Sequence, residues 1–256
     1  MNEILLETKN IGKSYSGNIV LKNINLTIRK GEVHSLMGEN GAGKSTLVKI
    51  ITGVVKQNSG TVFYDGKEMN ISHPKEIFDL GIGIVYQEFN LMPDLTVAEN
   101  IFISREPGNR FFLNDKKTTN MAKNILNELE CQIDPLRKVS DLSVAEQQMA
   151  EIAKSLSYNC RLLIMDEPTA ALTDNEISVL FKIIKKLRDK GVAIIYISHR
   201  MSDLDAIVDV VSVLRDGNLI STRPYHSNLK DMLICEMVGR DLTQQFPPKP
   251  DYKRGR

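Results

Sequence analysis

A glycine-rich stretch near the N-terminus constrains the fold more than any other feature of the sequence. Residues 38–46 read GENGAGKST and match the pattern G-x-x-x-x-G-K-[ST]. The strand-like run VHSLM precedes this stretch, and the helix-like run TLVKIITG begins at its last residue. A strand, a glycine-rich turn and a helix in this order bind phosphate, because the turn and the positive end of the helix direct N–H groups at an anion. The sequence therefore predicts an α/β domain with a phosphate-binding loop.

The residues of this loop have distinct expected roles. The glycines let the backbone wrap around the phosphates, Lys44 would neutralise the β- and γ-phosphates, and the Ser45 hydroxyl would ligate Mg²⁺. The alternative is a glycine-rich turn with an accidental lysine, but it leaves the flanking strand and helix unexplained. We expect eight residues of the loop to contact the nucleotide: Gly38, Asn40, Gly41, Ala42, Gly43, Lys44, Ser45 and Thr46.

Strand and helix patterns predict an α/β core interrupted by a helical segment. Strand patterns occur at 3–9, 24–28, 33–37, 61–64, 82–86, 161–165, 192–197 and 211–215. Helices follow several of these strands, which favours a mostly parallel sheet with helices on its faces. Residues 94–158 show only helical patterns and are predicted to form an inserted helical subdomain. The core would then comprise 1–93 and 159–240, and the proline- and charge-rich residues 241–256 would be a linker or tail.

Two adjacent carboxylates follow the apolar strand RLLIM. Asp166 and Glu167 would lie at the edge of the sheet that carries the phosphate loop, because ligands collect at the carboxyl ends of parallel strands. Asp166 would reach Mg²⁺ through water, and Glu167 would polarise the water that attacks the γ-phosphate. In a chain without a phosphate loop, the same pair would more simply be a solvated turn.

Three other side chains are weaker candidates for the same site. His199 follows the strand AIIYIS and would contact the γ-phosphate or hold the attacking water, although a lone histidine is often a core or surface residue. Gln87 closes the strand GIVYQ and would ligate Mg²⁺ and sense the γ-phosphate. Tyr15 lies in a predicted loop after the first strand and would stack on adenine. An ordinary surface tyrosine is the equally simple alternative.

Composition and charge narrow the classes of partner. The 33 basic and 32 acidic residues nearly cancel, so nothing favours nucleic acid as the main partner. No run reaches the ~18–20 apolar residues that a membrane-spanning helix needs. The N-terminal residues MNEILLETKN lack the pattern of a signal peptide. The three cysteines, Cys131, Cys160 and Cys235, show no paired or metal-binding spacing, which fits space-filling side chains in a reducing cytosol.

The motifs, taken in order along the chain, resemble those of ATP-binding cassette (ABC) transporter ATPase domains. The resemblance covers residues 3–240 and rests on Tyr15, GENGAGKST, Gln87, LSVAEQQMAEIAK, IMDEPTAALT and ISHR. It implies a P-loop fold with a mostly parallel core sheet, an N-terminal antiparallel β portion and an inserted helical subdomain. The same motifs, together with VLRDG and MVGRDL, are similar to the first half of ATPase subunits of bacterial monosaccharide importers of the ribose, galactose and xylose type.

The resemblance also implies cofactors, partners and a location. An ATPase of this family binds ATP and Mg²⁺ and pairs head to tail with a second ATPase half, here expected in the same polypeptide, so that this chain would be a truncated form. It drives transmembrane permease subunits at the cytoplasmic face of the cell membrane and serves a periplasmic or extracellular solute-binding protein indirectly. The loop after Gln87, EFNLMPDLTVAEN, would receive a permease helix. Its apolar side chains could equally be ordinary packing residues.

Ser143 is the expected signature residue, which in this family contacts the nucleotide of the partner domain. The family's usual pattern is L-S-G-G-Q, whereas this chain has Val144, Ala145 and Glu146 after the serine. Ser143 and Glu146 also have the spacing of a capping box, in which each side chain bonds the backbone N–H of the other. Our hypothesis is that the box caps the resting helix and opens when the partner's ATP arrives.

Two functions from other classes share most of these motifs. A soluble ABC ATPase acting on ribosomes or DNA usually carries added basic or coiled-coil segments, which this sequence lacks. A non-hydrolysing nucleotide sensor is favoured by the altered signature. The presence of Lys44, Asp166, Glu167 and His199 together argues against it.

Overall fold

Two β-sheets with surrounding helices form the part of the chain that the structure describes. The computed structural model describes residues 3–71, 73, 75–107 and 114–239. The strands are β1 Ile4–Tyr15, β2 Asn18–Arg29, β3 Val33–Met37, β4 Ser59–Tyr64, β5 Lys67–Glu68, β6 Ile82–Val85, β7 Leu162–Asp166, β8 Ala193–Ile197, β9 Val210–Arg215 and β10 Asn218–Pro224. The helices are α1 Lys44–Ile51, α2 Lys75–Asp79, α3 Val97–Phe102, α4 Asp115–Glu128, α5 Val144–Leu156, α6 Asp174–Asp189, α7 Met201–Ile207 and α8 Lys230–Val238.

The larger sheet is the mostly parallel sheet that the sequence predicted. Its strand order is β10-β9-β3-β8-β7-β6. The five strands from β9 to β6 are parallel, and β10 runs antiparallel to β9. The Asp-Gly pair that favours a tight hairpin turn joins β9 to β10, with φ of 49° at Asp216 and 73° at Gly217. The central strand β3 is therefore bordered by two strands from the C-terminal half of the chain.

Apolar residues on both faces keep the parallel strands buried. All residues of β3 and β8 are buried, because helices or the second sheet cover each face. Ile194 and Tyr196 of β8 pack in a cluster with α3–α6, while Ile195 and Ile197 pack in another with α1 and the smaller sheet. The continuous apolar runs in the sequence reflect this two-sided burial.

The smaller sheet is antiparallel, with strand order β2-β1-β4-β5. β1 and β2 extend further than their apolar patterns predicted. Asn10 and Asn23 have φ of 54° and 53°, and the β1–β2 register shifts between Thr8 and Ile11. Such bulges break the alternation of apolar and polar side chains, so the pattern ends before the strand does.

Helices α3, α4 and α5 lie between β6 and β7 and share one hydrophobic cluster. Within the described residues of 94–158 the structure has helices and no strand, apart from a single bridge between Thr96 and Lys138. The subdomain boundaries stay a prediction, and the tail at 241–256 lies outside the described residues. No helix in the described part of the chain has both the length and the apolar character needed to cross a membrane.

Candidate active site

The phosphate loop joins β3 to α1 at the carboxyl edge of the larger sheet. Gly43 precedes the helix with φ of 108°, a conformation that a side chain disfavours. A Cβ atom at Gly43 would lie 2.6 Å from Leu21 Cδ2 and 3.0 Å from the carbonyl oxygen of Val20. Glycine is therefore required here both by the backbone conformation and by the close approach of β2.

The side chain of Lys44 folds back onto the first residues of the phosphate loop. Its Nζ donates to the carbonyl oxygens of Gly38 (2.7 Å) and Glu39 (3.0 Å). Burial lowers the pKa of Lys44, while the carboxylates of Glu167 and Asp166 oppose that effect. The ammonium group thus lies between loop carbonyls and two acidic side chains, where a phosphate oxygen would be a competing partner.

A cavity of about 280 Å³ opens beside this loop. Its lining consists of Val20, Asn40, Gly41, Gly43, Lys44, Ser45, Thr46, Gln87, Asp166 and Glu167. Nine of these ten residues are ones that the sequence assigned to the nucleotide or the metal. Val20 is the exception, since a single valine in a polar stretch carries no sequence signal of binding. The predicted site residues outside the lining are Tyr15, Gly38, Ala42, Ser143 and His199.

The strand order explains why these distant residues meet. β3 is followed by the phosphate loop, and the neighbouring strands β8, β7 and β6 end near His199, Asp166 and Gln87. Because parallel strands share one carboxyl edge, the segments after all four strands lie along the same side of the sheet. The predicted convergence of the phosphate loop, the carboxylates and Gln87 is present in the cavity lining.

Asp166 is the last residue of β7 and is half-buried. Burial raises the pKa of Asp166, and the neighbouring negative charge of Glu167 adds to the effect, while Lys44 opposes it. The folded chain therefore holds an acidic group that gains from a nearby cation. This is the electrostatic environment expected of a metal ligand.

Glu167 has a left-handed backbone with φ of 48°. Its N–H donates to the carbonyl oxygen of Ile197 at 2.9 Å, so the main chain stays attached to the end of β8 as it turns. A non-glycine residue in this region stores about 1–3 kcal/mol of strain, and such strain is common at functional sites. The turn directs the carboxylate into the cavity.

His199 contacts the carboxylate of Glu167. Its Nδ1 lies 3.0 Å from Glu167 Oε1, and its side chain is 66% exposed while that of Glu167 is 21% exposed. An ionised carboxylate only accepts hydrogen bonds, so Nδ1 carries the hydrogen in this contact. A neutral ring then leaves Nε2 as an acceptor. His199 is thus coupled to the cavity through Glu167.

Tyr15 is the last residue of β1, so its predicted position in a loop after that strand was wrong. β1 continues through a bulge that the apolar pattern does not reveal. The residue is 42% exposed, and Lys13 Nζ lies 5.0 Å from the centroid of its ring. Stacking on adenine stays a prediction.

The predicted capping box at the start of α5 is confirmed. The hydroxyl of Ser143 accepts from the N–H of Glu146 at 3.3 Å, and the Glu146 carboxylate accepts from the N–H of Ser143 at 2.8 Å. Val144, the next residue, is exposed. The Ser143 hydroxyl is also hydrogen-bonded to the Glu146 carboxylate, so both its acceptor and its donor functions are used within the box.

Arg137 is a partner of this box that sequence reasoning missed. Its guanidinium donates to both oxygens of Glu146, at 2.7 and 3.2 Å, and to the carbonyl oxygen of Asp141 at 2.5 Å. Arg137 lowers the pKa of Glu146, and the N–H of Ser143 acts in the same direction. The arginine and the glutamate are nine positions apart, a spacing that matches neither helix nor strand, so no pattern could have revealed the pair.

The donor set limits the kind of metal that could bind. Among the described residues no group of three or more His, Cys, Asp and Glu side chains is close enough to hold an ion. The cavity instead offers a hydroxyl, an amide oxygen and a carboxylate from Ser45, Gln87 and Asp166. Oxygen donors with few carboxylates suit Mg²⁺, which commonly completes its shell with water and phosphate.

The fold and the cavity define a P-loop nucleotide-binding domain, in which a strand–loop–helix unit faces a carboxylate at the end of a neighbouring strand. Residues 21–170 match the ABC transporter family over more than half of the chain, and the chain belongs to that family. The predicted fold and family resemblance are confirmed.

Two curated relatives are named as import ATP-binding proteins. The chain is 48% identical over 253 residues, 98% of its length, to a Halalkalibacterium halodurans protein with the provisional name ribose/galactose/methyl galactoside import ATP-binding protein. It is 46% identical over 248 residues, 97% of its length, to a galactose/methyl galactoside import ATP-binding protein of Photobacterium profundum. The match covers 48% and 49% of these two relatives, so the chain spans about half of their length.

Solved structures share the fold at lower identity. An ATP-binding cassette of an ABC transporter in its ADP conformation has a TM-score of 0.82 at 26% identity, with 93% of this chain and 98% of that chain covered. A dimeric cassette in a post-hydrolysis state, bound to ADP and Pi, has a TM-score of 0.74 at 29% identity, with 87% of this chain and 99% of that chain covered.

Proposed function

We propose that the chain binds Mg-ATP, hydrolyses its β–γ bond and forms the first ATPase half of a bacterial importer for a simple sugar such as ribose, galactose or xylose. The observation that carries the proposal is the cavity in which Lys44, Ser45, Gln87, Asp166 and Glu167 converge. The importer assignment rests on the names of the relatives, which cover ribose, galactose and methyl galactoside.

The cavity fits a magnesium-bound triphosphate. Lys44 supplies a positive charge, and the positive φ of Gly41 and Gly43 lets the loop turn backbone N–H groups towards a phosphate. Ser45, Gln87 and Asp166 would hold Mg²⁺ with oxygen donors. When bound, the ion would neutralise charge on the phosphate oxygens. The raised pKa of Asp166 supports the same reading, because burial and Glu167 make its ionised form costly without a cation.

Glu167 and His199 are the residues that would act on the attacking water. The Glu167 carboxylate lines the cavity and can accept a hydrogen bond from water, which orients and polarises it. His199 donates Nδ1–H to that carboxylate and so fixes its orientation. Because the His199 side chain is 66% exposed, its Nε2 would contact a phosphate oxygen when protonated, or a water molecule when neutral.

Ser143 would serve a second ATPase half in a head-to-tail pair. The solved dimeric cassette supports pairing as a property of similar domains. Arg137 makes the altered signature compatible with an anion, since its guanidinium pairs with the Glu146 carboxylate and offsets its negative charge. The exposed Ser143 hydroxyl would turn from Glu146 to a partner's γ-phosphate once the box opens.

The loop after β6 would receive a permease helix at the cytoplasmic face of the membrane. Tyr86 and Met92 are exposed apolar side chains on this loop, while Leu91 packs against the helical cluster. Helix α5 forms two hydrogen bonds with the main chain of Asn90 in this loop. Glu151 accepts from the Asn90 N–H at 2.6 Å, and Lys154 donates to the Asn90 carbonyl oxygen at 2.7 Å. A displacement of the loop would therefore also move α5, the helix that Ser143 caps.

Replacement of Glu167 with Gln tests the hydrolysis part of the proposal. The amide keeps the shape of the side chain but cannot take a proton, so we expect ATP binding to be preserved while phosphate release falls by orders of magnitude. Phosphate release should be measured with the chain alone and with a second ATPase half. Asp189→Asn, at the exposed end of α6, is a matched control that should behave as wild type.

Each outcome of this experiment favours one function. Near-normal turnover of Glu167→Gln would refute the role of the carboxylate. Nucleotide binding without phosphate release, even with the second half present, would favour a nucleotide sensor instead. For the intact subunit, co-purification with a permease and a screen of sugars for stimulated turnover would test the transport assignment.

A further inference from the structure

A buried carboxylate lies behind the two loops that carry Glu167 and His199. Asp203 is in the first turn of α7 and is 1% exposed. One of its oxygen atoms, Oδ2, accepts hydrogen bonds from three hydroxyl groups: Thr169 at 2.8 Å, Tyr196 at 2.8 Å and Ser198 at 3.1 Å. The cavity lining contains none of these four side chains.

Two of the three hydroxyls belong to the catalytic loops. Thr169 lies two residues after Glu167, and Ser198 immediately precedes His199. One carboxylate oxygen therefore ties the loop after β7 to the loop after β8. Ser198 Oγ also accepts from the N–H of Arg200 at 3.0 Å. This hydrogen bond joins the two residues that flank His199 and so stabilises the turn that carries it.

The chemistry of this cluster requires a carboxylate. A buried negative charge is tolerated only when it is well hydrogen-bonded, and three hydroxyl donors on one oxygen satisfy that condition. Arg200 Nε lies 3.7 Å from the other oxygen, Oδ1, and contributes positive charge. An asparagine amide has only one acceptor oxygen: with its nitrogen in place of Oδ2 it could not accept from the three hydroxyls, and with its nitrogen in place of Oδ1 it would turn an N–H donor towards Arg200 Nε.

We propose that Asp203 is a positioning residue that sets the geometry of the Glu167–His199 pair. By holding Thr169 and Ser198 on a single oxygen, it fixes the relative position of the two loops and brings Glu167 Oε1 within 3.0 Å of His199 Nδ1. The assignment rests on the proposed ATPase function and adds a residue that touches neither the phosphate loop nor the cavity.

Asp203→Asn separates positioning from binding. A misplacement of about 1 Å at reacting groups can lower a rate roughly 10²-fold, so we expect phosphate release per bound nucleotide to fall by about that factor. The ATP dissociation constant should stay within about two-fold of wild type, because Lys44 and Ser45 do not contact the cluster. Normalising turnover to bound nucleotide removes any effect of a misfolded fraction.

Two control variants distinguish positioning from general destabilisation. Asp205→Asn alters another carboxylate of α7, which accepts from the Tyr225 hydroxyl at 2.8 Å and pairs with Lys230 instead of the catalytic loops. Of the three hydroxyls on Asp203 Oδ2, Tyr196→Phe removes the one that belongs to neither loop. Both variants should keep near-wild-type turnover per bound nucleotide. If Tyr196→Phe matched Asp203→Asn in that quantity, the positioning role would be wrong.

Histidine resonances provide a readout that does not depend on turnover. The sequence has four histidines, so their ring C–H signals can be followed one by one. Asp203→Asn should shift the His199 signal, because its contact with Glu167 changes. His34 is fully buried between Glu32 and Ser212 and should not move, which makes it an internal control for the fold.

The outcomes keep this inference separate from the proposed function. A wild-type chain that releases no phosphate, alone or with a second ATPase half, would contradict the proposed function, while the His199 signal would still decide on Asp203. An unshifted His199 signal in Asp203→Asn would overturn the inference. If Asp203→Asn does not fold, Ser198→Ala and Thr169→Val each remove one hydroxyl, and wild-type turnover and spectra in both would overturn it equally.

Discussion

Alanine substitutions at two glycines of the phosphate loop separate backbone strain from crowding. Gly41 and Gly43 have φ of 85° and 108°. Nothing lies within 4 Å of a Cβ placed on Gly41, so Gly41→Ala adds only the cost of a left-handed backbone, about 1–2 kcal/mol. A Cβ on Gly43 would also overlap Leu21 at 2.6 Å and approach the Val20 carbonyl at 3.0 Å.

Crowding should make the Gly43 variant clearly less stable. An extra methyl group in a filled region costs about 1–3 kcal/mol beyond the backbone strain. We therefore expect Gly43→Ala to lower the free energy of unfolding by about 2–5 kcal/mol, and Gly41→Ala by about 1–2 kcal/mol. In a chain of this size each kcal/mol corresponds to roughly 2–4 °C in melting temperature.

Thermal unfolding without nucleotide measures both variants, and ATP titration adds a functional readout. Lys44 directly follows Gly43, so a loop that yields to the new methyl group moves the ammonium and weakens ATP binding. Gly41→Ala should bind ATP more tightly than Gly43→Ala. Equal melting temperatures for the two variants would refute the argument, because they differ in the structure mainly by the contacts of that Cβ atom.

Two further predictions concern charged side chains. Glu146→Gln should leave the ATP affinity of the chain unchanged and strengthen ATP-dependent pairing, since it frees the charge of Arg137. Sedimentation with ATP measures this pairing, and Glu99→Gln in the equivalent box of α3 is the control. Weaker pairing of Glu146→Gln would contradict the idea. Burial raises the pKa of Asp166, so its ionisation destabilises the fold increasingly as the pH rises above the unfolded-state value of about 3.9. Asp166→Asn should therefore resist urea better than wild type at pH 7, by a margin that shrinks towards a pH of about 4, and should lose Mg²⁺-dependent ATP binding. Equal urea midpoints at pH 7 would exclude this reading.

The parts of the site that sequence reasoning found share a simple geometric origin. The phosphate loop is a contiguous motif, and Gln87, Asp166 and Glu167 each follow an apolar run that reads as a buried strand. Parallel strands bring their carboxyl ends to one edge, so residues far apart in the chain can be placed together without knowing the strand order. The roles assigned to these residues stay predictions that the variants above test.

The features that sequence reasoning missed depend on contacts between distant segments. Arg137 meets Glu146 only because the turn before α5 folds back on the helix start, and Asp203 reaches Thr169 only across two neighbouring strands. Neither pair has a helical or strand spacing that could mark it. The end of β1 was missed for a different reason: a bulge at Asn10 interrupts the alternation while hydrogen bonding to β2 continues.

The position of β3 between β8 and β9 has a consequence during synthesis of the chain. β3 ends at Met37, and the first strand that pairs with it begins at Ala193, more than 150 residues later. At ribosomal rates of about 5–20 residues per second, this delay lasts roughly 8–30 s. Throughout that interval the nascent chain carries, without its partners, a strand whose residues are all buried in the folded protein, so protection of this segment by chaperones or by the growing antiparallel sheet would govern the yield of folded protein.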